Sequence, residues 1–379
     1  MSHYDFIIIG AGVAGSAATY HLAKEHRVLL LEQFEFQHVR GSSHGDSRIF
    51  RHAYEDIRYV KLAVAADEAW RELERLVDDK LLYRTGGIDI GHEDDPALAN
   101  IEKALQDQDC PFETFTPNRL AQPFPAFELK RHHRALYQAD AGILAATRCL
   151  GAMQRLAVSR GATLLEREEV TDIDLDAPVE VKTQAGRYTA EGLIVTAGPW
   201  LKGLLKDLEL PLSVERQQVL YLEVEDGPIF GANRFPIFIY RHENRAEVYG
   251  FPRFEHPTAI KVADHANGTE IDLEQRHFDL DSNKALETTR LVQEILPKVT
   301  SKRVRFQTCL YTKTPDNHFI LGRHPLHPNV VIGGGFSGHG FKFGPILGEI
   351  LAELARQGRS RHDLSLFEPN RFVAGRVDR

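Results

Sequence analysis

The stretch YDFIIIGAGVAG, residues 4–15, decides how the amino-terminal part of the chain folds. Tyr4 to Ile9 is an apolar, β-branched run that predicts a short buried strand, and Ser16 to Lys24 is an alanine-rich stretch typical of a helix. Arg27 to Leu31 predicts a second strand, directly followed by Glu32. The order of strand, glycine turn, helix and strand predicts one βαβ unit.

Gly10, Gly12 and Gly15 have the spacing of a dinucleotide-binding turn. In that motif the first glycine permits the tight turn, the second lets the backbone approach a pyrophosphate, and the third lets the helix pack on the strand. The pyrophosphate lies at the helix N-terminus, where free N–H groups attract an anion. Glu32 stands where an acid accepts from a ribose hydroxyl, which disfavours NADP. We predict a dinucleotide site, with FAD and NAD both open at this point.

Two later segments repeat the pattern of an apolar strand running into glycine: Leu193 to Gly198, and Val330 to Gly340. Near-continuous apolar strands are typical of a parallel sheet buried on both faces, so we expect all three strands in one sheet. Since they are far apart in sequence, the nucleotide domain must be discontinuous, and the intervening chain must build a second domain.

We therefore predict an α/β protein with two domains. A Rossmann-type parallel-sheet domain would comprise residues 1–85, 145–210 and 321–379, and a substrate domain residues 86–144 and 211–320. Aromatic and β-branched segments separated by polar turns predict a mostly antiparallel sheet in the second domain, at 218–224, 235–240, 246–251 and 305–311. Apolar spacing predicts helices at 60–76, 145–160, 284–295 and 345–357. The acidic stretch 166–176 is expected to be a solvated strand edge.

The overall composition disfavours several classes of protein. The formal net charge is −8, and without a polybasic segment neither nucleic acid nor a membrane is an expected partner. The three cysteines, Cys110, Cys149 and Cys309, form no CxxC motif, so we expect neither a disulfide framework nor a metal site. The most apolar stretch, residues 6–18, is shorter than the ~20 residues that span a bilayer. With no secretory or SKL-type signal in view, we expect a cytoplasmic protein.

Two segments carry residue types suited to chemistry. The loop GSSHGDSRIFRHAY, residues 41–54, combines small residues with arginines and histidines, which suits a loop lying across a cofactor and holding an anionic substrate. A solvated surface loop would have the same composition. Cys309, in a predicted strand, is either a small buried hydrophobe or a thiolate that attacks the methyl carbon of an isoalloxazine ring.

Taken together, these segments resemble the family of monomeric sarcosine oxidase and N-methyl-L-tryptophan oxidase, flavoenzymes of the D-amino-acid-oxidase-like structural class. The resemblance runs almost end to end, through GSSHGDSRIFRHAY, LIVTAGPW, QTCLYTKTPDNHF and GFSGHGFKF to the closing HDLSLF. It implies FAD as the cofactor, a small secondary amine and oxygen as the reactants, and a monomeric protein.

The same resemblance implies roles for individual residues. Cys309 would attach FAD through an 8α-S-cysteinyl thioether. Arg51 and Lys342 would bind the substrate carboxylate, since a guanidinium offers a two-pronged fit and an ammonium a point charge. Lys261 would lie beside the flavin N5 and stabilise developing superoxide, unless it is an ordinary exposed lysine. The other residues expected around the flavin and the substrate are Ser42, His44, Arg48, Tyr249, His265, Tyr311, Gly338 and His339.

The chain departs from the family pattern in two places. Ser43 stands where members commonly have the first of two histidines, so any role of that histidine is lost. The segment FPRFEHPTAI, residues 251–260, is longer by a residue or more and carries Arg253, Glu255 and His256. Because this segment is expected to border the substrate cavity, it leaves the identity of the substrate open.

The resemblance predicts an FAD-dependent oxidase of an N-methyl amino acid such as sarcosine. The products would be the demethylated amino acid, formaldehyde and hydrogen peroxide. No general base is needed if the amine binds neutral, and a cationic cavity favours the neutral form because like charges lower an amine pKa. The alternatives are another secondary amine (N-methyltryptophan, pipecolate or a proline-like compound, a glycated amino acid), a carrier as electron acceptor, and a non-catalytic flavin-binding module.

Overall fold

The computed structural model describes residues 2–372. Met1 and residues 373–379, the end of the segment assigned above to the nucleotide domain, lie outside the described residues. The strands, in chain order, are β1 (Ser2–Ile9), β2 (Val28–Leu31), β3 (Arg48–Phe50), β4 (Leu82–Arg84), β5 (Gly87–His92), β6 (Glu113–Phe115), β7 (His133–Gln138), β8 (Gly142–Leu144), β9 (Thr163–Leu165), β10 (Val170–Asp174), β11 (Val179–Thr183), β12 (Arg187–Val195), β13 (Ser213–Val224), β14 (Ile237–Arg241), β15 (Glu247–Phe251), β16 (Ala259–Asp264), β17 (Thr269–Glu270), β18 (Val299–Lys313), β19 (Ile320–Arg323) and β20 (Val330–Gly334).

The helices are α1 (Val13–Leu22), α2 (Ile57–Val77), α3 (Pro96–Gln106), α4 (Pro117–Leu120), α5 (Ala146–Ser159), α6 (Leu201–Leu204), α7 (Ser282–Ile295) and α8 (Gly344–Gln357). Each of the five predicted helices is present with shifted boundaries, as α1, α2, α5, α7 and α8, and three further helices of the described residues, α3, α4 and α6, were not predicted. The helix α1 begins three residues before the predicted Ser16, because Gly12 of the glycine turn is itself the N-cap. The helix α2 begins before the predicted residue 60, because the Asp56 side chain accepts from the Arg58 N–H and caps it. No helix within residues 2–372 is long and apolar enough to cross a lipid bilayer.

The first sheet has the order β10, β11, β12, β1, β2, β9, and β20 also pairs with β12 and with β19. The pairings of β12 with β1 and with β20 are both parallel, which confirms that the three glycine-tipped strands share one sheet. Alternate residues of β1 enter two different cores, Ile8 on the side of α1, α5 and α8, and Ile7 on the other side. The acidic strand β10 forms an edge of this sheet, as predicted.

The second sheet has nine strands, and every pairing is antiparallel except that of β5 with β14. The helix α7 covers one face, where Ile260 and Val262 share a core with Val292. Because side chains alternate along a strand, odd-numbered residues of β15 and β16, with Gln217 and Val219 of β13 and Cys309 and Tyr311 of β18, point to the opposite face. That face carries Tyr249 and Lys261 and forms a wall of the cavity described next. A small third sheet, β3, β8 and β4, is antiparallel.

Candidate active site

One cavity is lined by the carboxyl ends of the first sheet, by the odd-numbered face of the second sheet and by the loop between β2 and β3. Gly10 and Glu32 lie in the wall from the first sheet, and Lys261 and Cys309 lie in the wall from the second. Residues assigned from the sequence to a dinucleotide and residues assigned to a substrate therefore share a single space.

The glycine turn has no room for side chains. Gly10 has φ +98°, and a Cβ atom there would lie 2.6 Å from the Thr196 carbonyl oxygen. A Cβ atom at Gly15 would lie 2.0 Å from the Gly10 carbonyl oxygen. Bare backbone therefore borders the cavity at the start of α1, as a pyrophosphate requires.

Two side chains support this turn. Glu32 is buried, and its carboxylate accepts from the Ala11 N–H at 2.9 Å and from the Phe34 N–H at 3.1 Å. The Ser43 hydroxyl accepts from the Val13 N–H at 3.0 Å, in the first turn of α1. Ser43 thus contacts the first turn of α1, a contact that the sequence did not predict.

The loop over the cavity is buried or half-buried except at Asp46, so its interpretation as a solvated surface loop is wrong. The Ser42 hydroxyl donates to the Leu310 carbonyl oxygen at 2.6 Å, which ties the loop to β18. Arg48 donates to the carbonyl oxygens of Ser42, at 3.0 Å, and of Ser47, at 2.8 Å. Neither ring nitrogen of the buried His44 has a partner within residues 2–372. Burial and the nearby Arg48 lower the pKa of His44 to about 3, so this ring is a neutral, unpaired group beside the cavity.

The predicted carboxylate-binding pair reaches the same cavity. Arg51 is held by Asp89, with Nη1 3.0 Å from Oδ1, and it also donates to the Ala53 carbonyl oxygen. The Lys342 ammonium donates to the Tyr54 hydroxyl at 2.7 Å and to the His339 carbonyl oxygen at 2.8 Å. Burial holds the pKa of Lys342 well below its usual value, and the positive charge of Arg51 lowers it as well.

The turn that follows β20 contains His339 and packs against Tyr311 of β18. The His339 ring lies 3.3 Å from the Tyr54 hydroxyl through Nδ1 and 3.2 Å from the Asn317 carbonyl oxygen through Nε2. Burial holds the pKa of His339 well below its usual value, so the ring is neutral. Gly338 has φ +82°, and a Cβ atom there would lie 2.3 Å from the Tyr311 ring. This glycine therefore leaves the space that Tyr311 fills.

The wall from the second sheet carries the remaining predicted residues. The His265 Nδ1 lies 3.2 Å from the Tyr311 hydroxyl, and burial lowers the pKa of His265. The rings of Tyr249 and His265 have their centroids 6.5 Å apart. Lys261 is 4% exposed, so its interpretation as an ordinary exposed lysine is wrong. Cys309 is half-buried and is the one cysteine of the described part that lines the cavity.

Sequence reasoning missed several charged residues of the site because their partners come from other strands. Arg241 lies 2.8 Å from the Asp89 oxygen that Arg51 also contacts. The Glu247 carboxylate lines the cavity and lies 3.7 Å from the Arg241 Nε. The only sequence signal for Glu247 was its alternation with Tyr249 and Phe251 along β15. Arg253 and His256, from the segment expected to border the cavity, are not among its lining residues, and Glu255 contacts Lys261 instead.

Residues 5–354 match the protein family described as FAD dependent oxidoreductase. The chain belongs to this family. Monomeric sarcosine oxidase of Bacillus sp. (strain NS-129) is 36% identical over 378 residues, which cover 98% of this chain and 97% of that protein. Peroxisomal sarcosine oxidase of Mus musculus is 37% identical, with 97% and 96% covered. N-methyl-L-tryptophan oxidase of Salmonella dublin is 32% identical, with 97% and 99% covered.

The fold has close counterparts among solved structures of FAD-dependent amino acid oxidases. The open form of NikD, titled an unusual amino acid oxidase essential for nikkomycin biosynthesis, superposes with a TM-score of 0.86 at 24% identity, covering 97% of this chain and 98% of that one. The similarity at this level of identity concerns the arrangement of the two sheets and the helices around them.

The residues present fit FAD, the cofactor of this family. The side-chain-free turn at Gly10 and Gly15, the first turn of α1 and the carboxylate of Glu32 border one part of the cavity. The unpaired ring of His44 and the thiol of Cys309 border another part. A dinucleotide bound at the turn therefore shares its cavity with the cations expected to bind the substrate.

Proposed function

We propose that this protein oxidises N-methyl amino acids, with sarcosine as the leading substrate, and produces the demethylated amino acid, formaldehyde and hydrogen peroxide. The observation that carries the proposal is the presence of two buried basic side chains, Arg51 and Lys342, in the cavity that also contains the dinucleotide turn. The names of the sarcosine oxidases that are 36% and 37% identical to this chain support the substrate class.

Arg51 and Lys342 bind the substrate carboxylate. Charge-assisted hydrogen bonds are strongest where water is excluded, and both side chains are buried. Asp89 fixes the direction of the Arg51 guanidinium, and the Tyr54 hydroxyl fixes the Lys342 ammonium. With one end of the substrate fixed, its N-methyl carbon is oriented for reaction without a further binding group.

We infer that the substrate amine binds in its neutral form. Like charges lower the pKa of an ammonium group, and the guanidinium of Arg51, in the cavity wall, supplies one. His265 adds no charge, because burial lowers its pKa. A neutral amine loses electrons more readily than an ammonium, so the chain needs no general base at this step.

FAD, when bound, accepts two electrons from the amine and releases them to oxygen. We propose that Cys309 attaches it covalently and that oxygen, not a carrier, is the acceptor. The residues that would contact the cofactor are Gly10, Gly12, Gly15, Glu32, Ser42, His44, Gly338 and His339. A monomeric protein and a cytoplasmic location stay predictions from the sequence.

The test is anaerobic reduction of the purified yellow protein by a panel of amines. We expect sarcosine and other N-methyl amino acids to bleach the flavin faster than pipecolate, proline and a fructosyl amino acid. In air, formaldehyde and peroxide should form in equal amounts. If no N-methyl amino acid bleaches the flavin, the proposal is wrong, and if reduction occurs without peroxide in air, the acceptor is a carrier.

A further inference from the structure

Lys261 does not stand alone in the cavity wall, because Glu255 forms a buried ion pair with it. The Lys261 Nζ lies 3.1 Å from the Glu255 Oε1, and the two side chains are 5% and 3% exposed. Glu255 belongs to the longer segment that precedes β16, where this chain departs from the family pattern. The pair brings a full negative charge to the place where the resemblance predicts only a cation.

The ammonium group of Lys261 has all of its donors occupied by the protein. A protonated lysine has three N–H bonds. They point to the Glu255 carboxylate, to the Ser47 hydroxyl at 2.9 Å and to the Ser47 carbonyl oxygen at 3.0 Å. The Lys261 Nζ also lies over the Phe251 ring, 4.9 Å from its centroid. Lys261 therefore acts on a neighbouring group through its charge, and Glu255 and Ser47 hold that charge in place.

Glu255 is itself held from two other directions. The Tyr221 hydroxyl, on β13, donates to its Oε2, and the Ser47 hydroxyl donates to its Oε1. Tyr221 also lies 3.1 Å from the Gln307 side-chain oxygen, on β18. Burial by itself raises the pKa of Glu255, but Lys261 and these hydrogen bonds outweigh it and hold the pKa below its usual value. The carboxylate is thus ionised and fixed, as a counterion must be.

The protonation of Lys261 depends on this counterion. Burial lowers the pKa of Lys261, Glu255 raises it and Arg48 lowers it, and together these effects leave it at about 8. Without Glu255 the lysine would lose its proton at a lower pH, since the largest effect that offsets the loss of solvation would be gone. The other titratable or charged groups near the pair are His44, Asp46, Arg48, Tyr221, Arg305 and Cys309.

We propose that Glu255 is a positioning residue that keeps Lys261 protonated and fixed in the cavity wall, and that it thereby sets the pH range in which the reduced cofactor reacts with oxygen. The inference rests on the proposed function and on the role that the family resemblance implies for Lys261, which is to stabilise the negative charge that develops on oxygen. Glu255 acts through Lys261 and does not need to touch the cofactor or the substrate.

The main experiment compares Glu255→Gln with Glu223→Gln, a matched control on β13 whose carboxylate pairs with Lys302 at the surface. Each protein is reduced with dithionite and mixed with oxygen between about pH 6 and about pH 10, the range in which a perturbed lysine titrates. We expect the high-pH fall in the rate to move down by about one pH unit or more in Glu255→Gln and to stay in place in the control. Glu255→Asp, which keeps the charge, should restore most of the range.

Two further measurements separate this role from a merely structural one. In Lys261→Met, adding Glu255→Gln should leave the pH profile unchanged, because the residue through which Glu255 acts is gone. In the holoprotein, the difference in unfolding free energy between the wild type and Lys261→Met should rise with pH above about 8, since the unfolded lysine binds its proton more tightly than the folded one. That rise should begin at lower pH in Glu255→Gln, a readout independent of catalysis.

A superimposable pH profile for Glu255→Gln and the wild type, or the same shift in the Lys261→Met background, overturns the proposal. If Glu255→Gln does not fold, Tyr221→Phe tests the same arrangement, because it removes one hydrogen bond to Glu255 and leaves both charges, and a smaller downward shift is expected. Reduction by dithionite keeps these outcomes distinct from the proposed function, whose failure would appear only in the reaction with amines.

Discussion

Arg51 and Asp89 form a buried ion pair at the wall of the cavity, with the arginine Nη1 3.0 Å from the aspartate Oδ1. Arg241 contacts the same oxygen from the neighbouring strand, at 2.8 Å. The pair restricts the orientation of the Arg51 guanidinium, because its Nη1 is hydrogen-bonded to Asp89. Asp89 therefore determines which edge of the guanidinium is available to a substrate carboxylate.

Replacing Asp89 with asparagine should weaken substrate binding more than it slows turnover. Loss of one partner of a buried charge pair costs about 2–5 kcal/mol, part of which would appear in binding. We expect KM for sarcosine to rise about tenfold or more, with a smaller change in kcat. Steady-state kinetics and titration with acetate, followed by the flavin absorbance, would measure this. Asp94→Asn, at an exposed position five residues away, is the control, and equal effects of the two changes would contradict the role of Asp89.

Glu247 should select against substrates with two carboxylates. Burial by itself raises the pKa of Glu247, but Arg241 and other nearby basic groups outweigh this effect and leave the pKa below its usual value. The side chain is therefore a carboxylate in the cavity wall. A second acid group on the substrate would meet this charge at low dielectric, and like-charge contact is costly. Glu247→Gln should raise kcat/KM for iminodiacetate relative to sarcosine by about tenfold, equal to about 1.4 kcal/mol. Glu243→Gln, at an exposed turn, should leave that ratio unchanged, and an unchanged ratio in Glu247→Gln would argue against this role.

Gly338→Ala should displace Tyr311 and impair the enzyme. Both Gly338 (φ +82°) and Gly161 (φ +91°) have left-handed backbones, but a Cβ atom at Gly161 would meet nothing within 4 Å. Gly161→Ala should therefore cost only the backbone strain, about 1 kcal/mol, while Gly338→Ala should add about 1–3 kcal/mol of overpacking. Denaturant unfolding compares the two, and sarcosine turnover should fall in Gly338→Ala alone. Equal stability loss with full activity in both variants would exclude the clash with Tyr311.

Cys309→Ser should abolish covalent retention of the flavin. Acid precipitation of the wild type should leave the yellow colour in the pellet, because a thioether survives unfolding, and the serine variant should release it to the supernatant. Cys110→Ser, a change at a buried cysteine outside the cavity lining, should behave like the wild type. Flavin in the supernatant of the wild type would refute the attachment, as would a yellow pellet from Cys309→Ser.

Much of the fold followed from local patterns. The turn at residues 10–15 combines left-handed backbone at Gly10 with close contacts that exclude side chains, so its glycines, together with the flanking strand and helix patterns, predict the βαβ unit. The apolar runs that end in glycine predicted a parallel sheet because such strands are buried on both faces. The single parallel pairing in the second sheet, between β5 and β14, had no such signal, since it joins segments distant in the chain.

The candidate site likewise contains residues that the sequence predicted and residues that only the structure revealed. Family motifs identified Arg51, Lys261, Cys309 and Lys342, and strand alternation explains why Lys261 and Cys309 face one cavity. The counterions Asp89, Glu247 and Glu255 had no motif, and their partners come from separate parts of the sequence, as with Lys261 and Ser47, which lie 214 residues apart.

The amino-acid sequence alone determined the glycine turn, the strand and helix pattern and the presence of cations suited to a carboxylate. Only the tertiary structure decided which of those cations are neutralised. Short-range sterics and side-chain periodicity are properties of neighbouring residues, whereas the strength of a buried charge depends on what distant strands bring within about 4 Å of it at low dielectric.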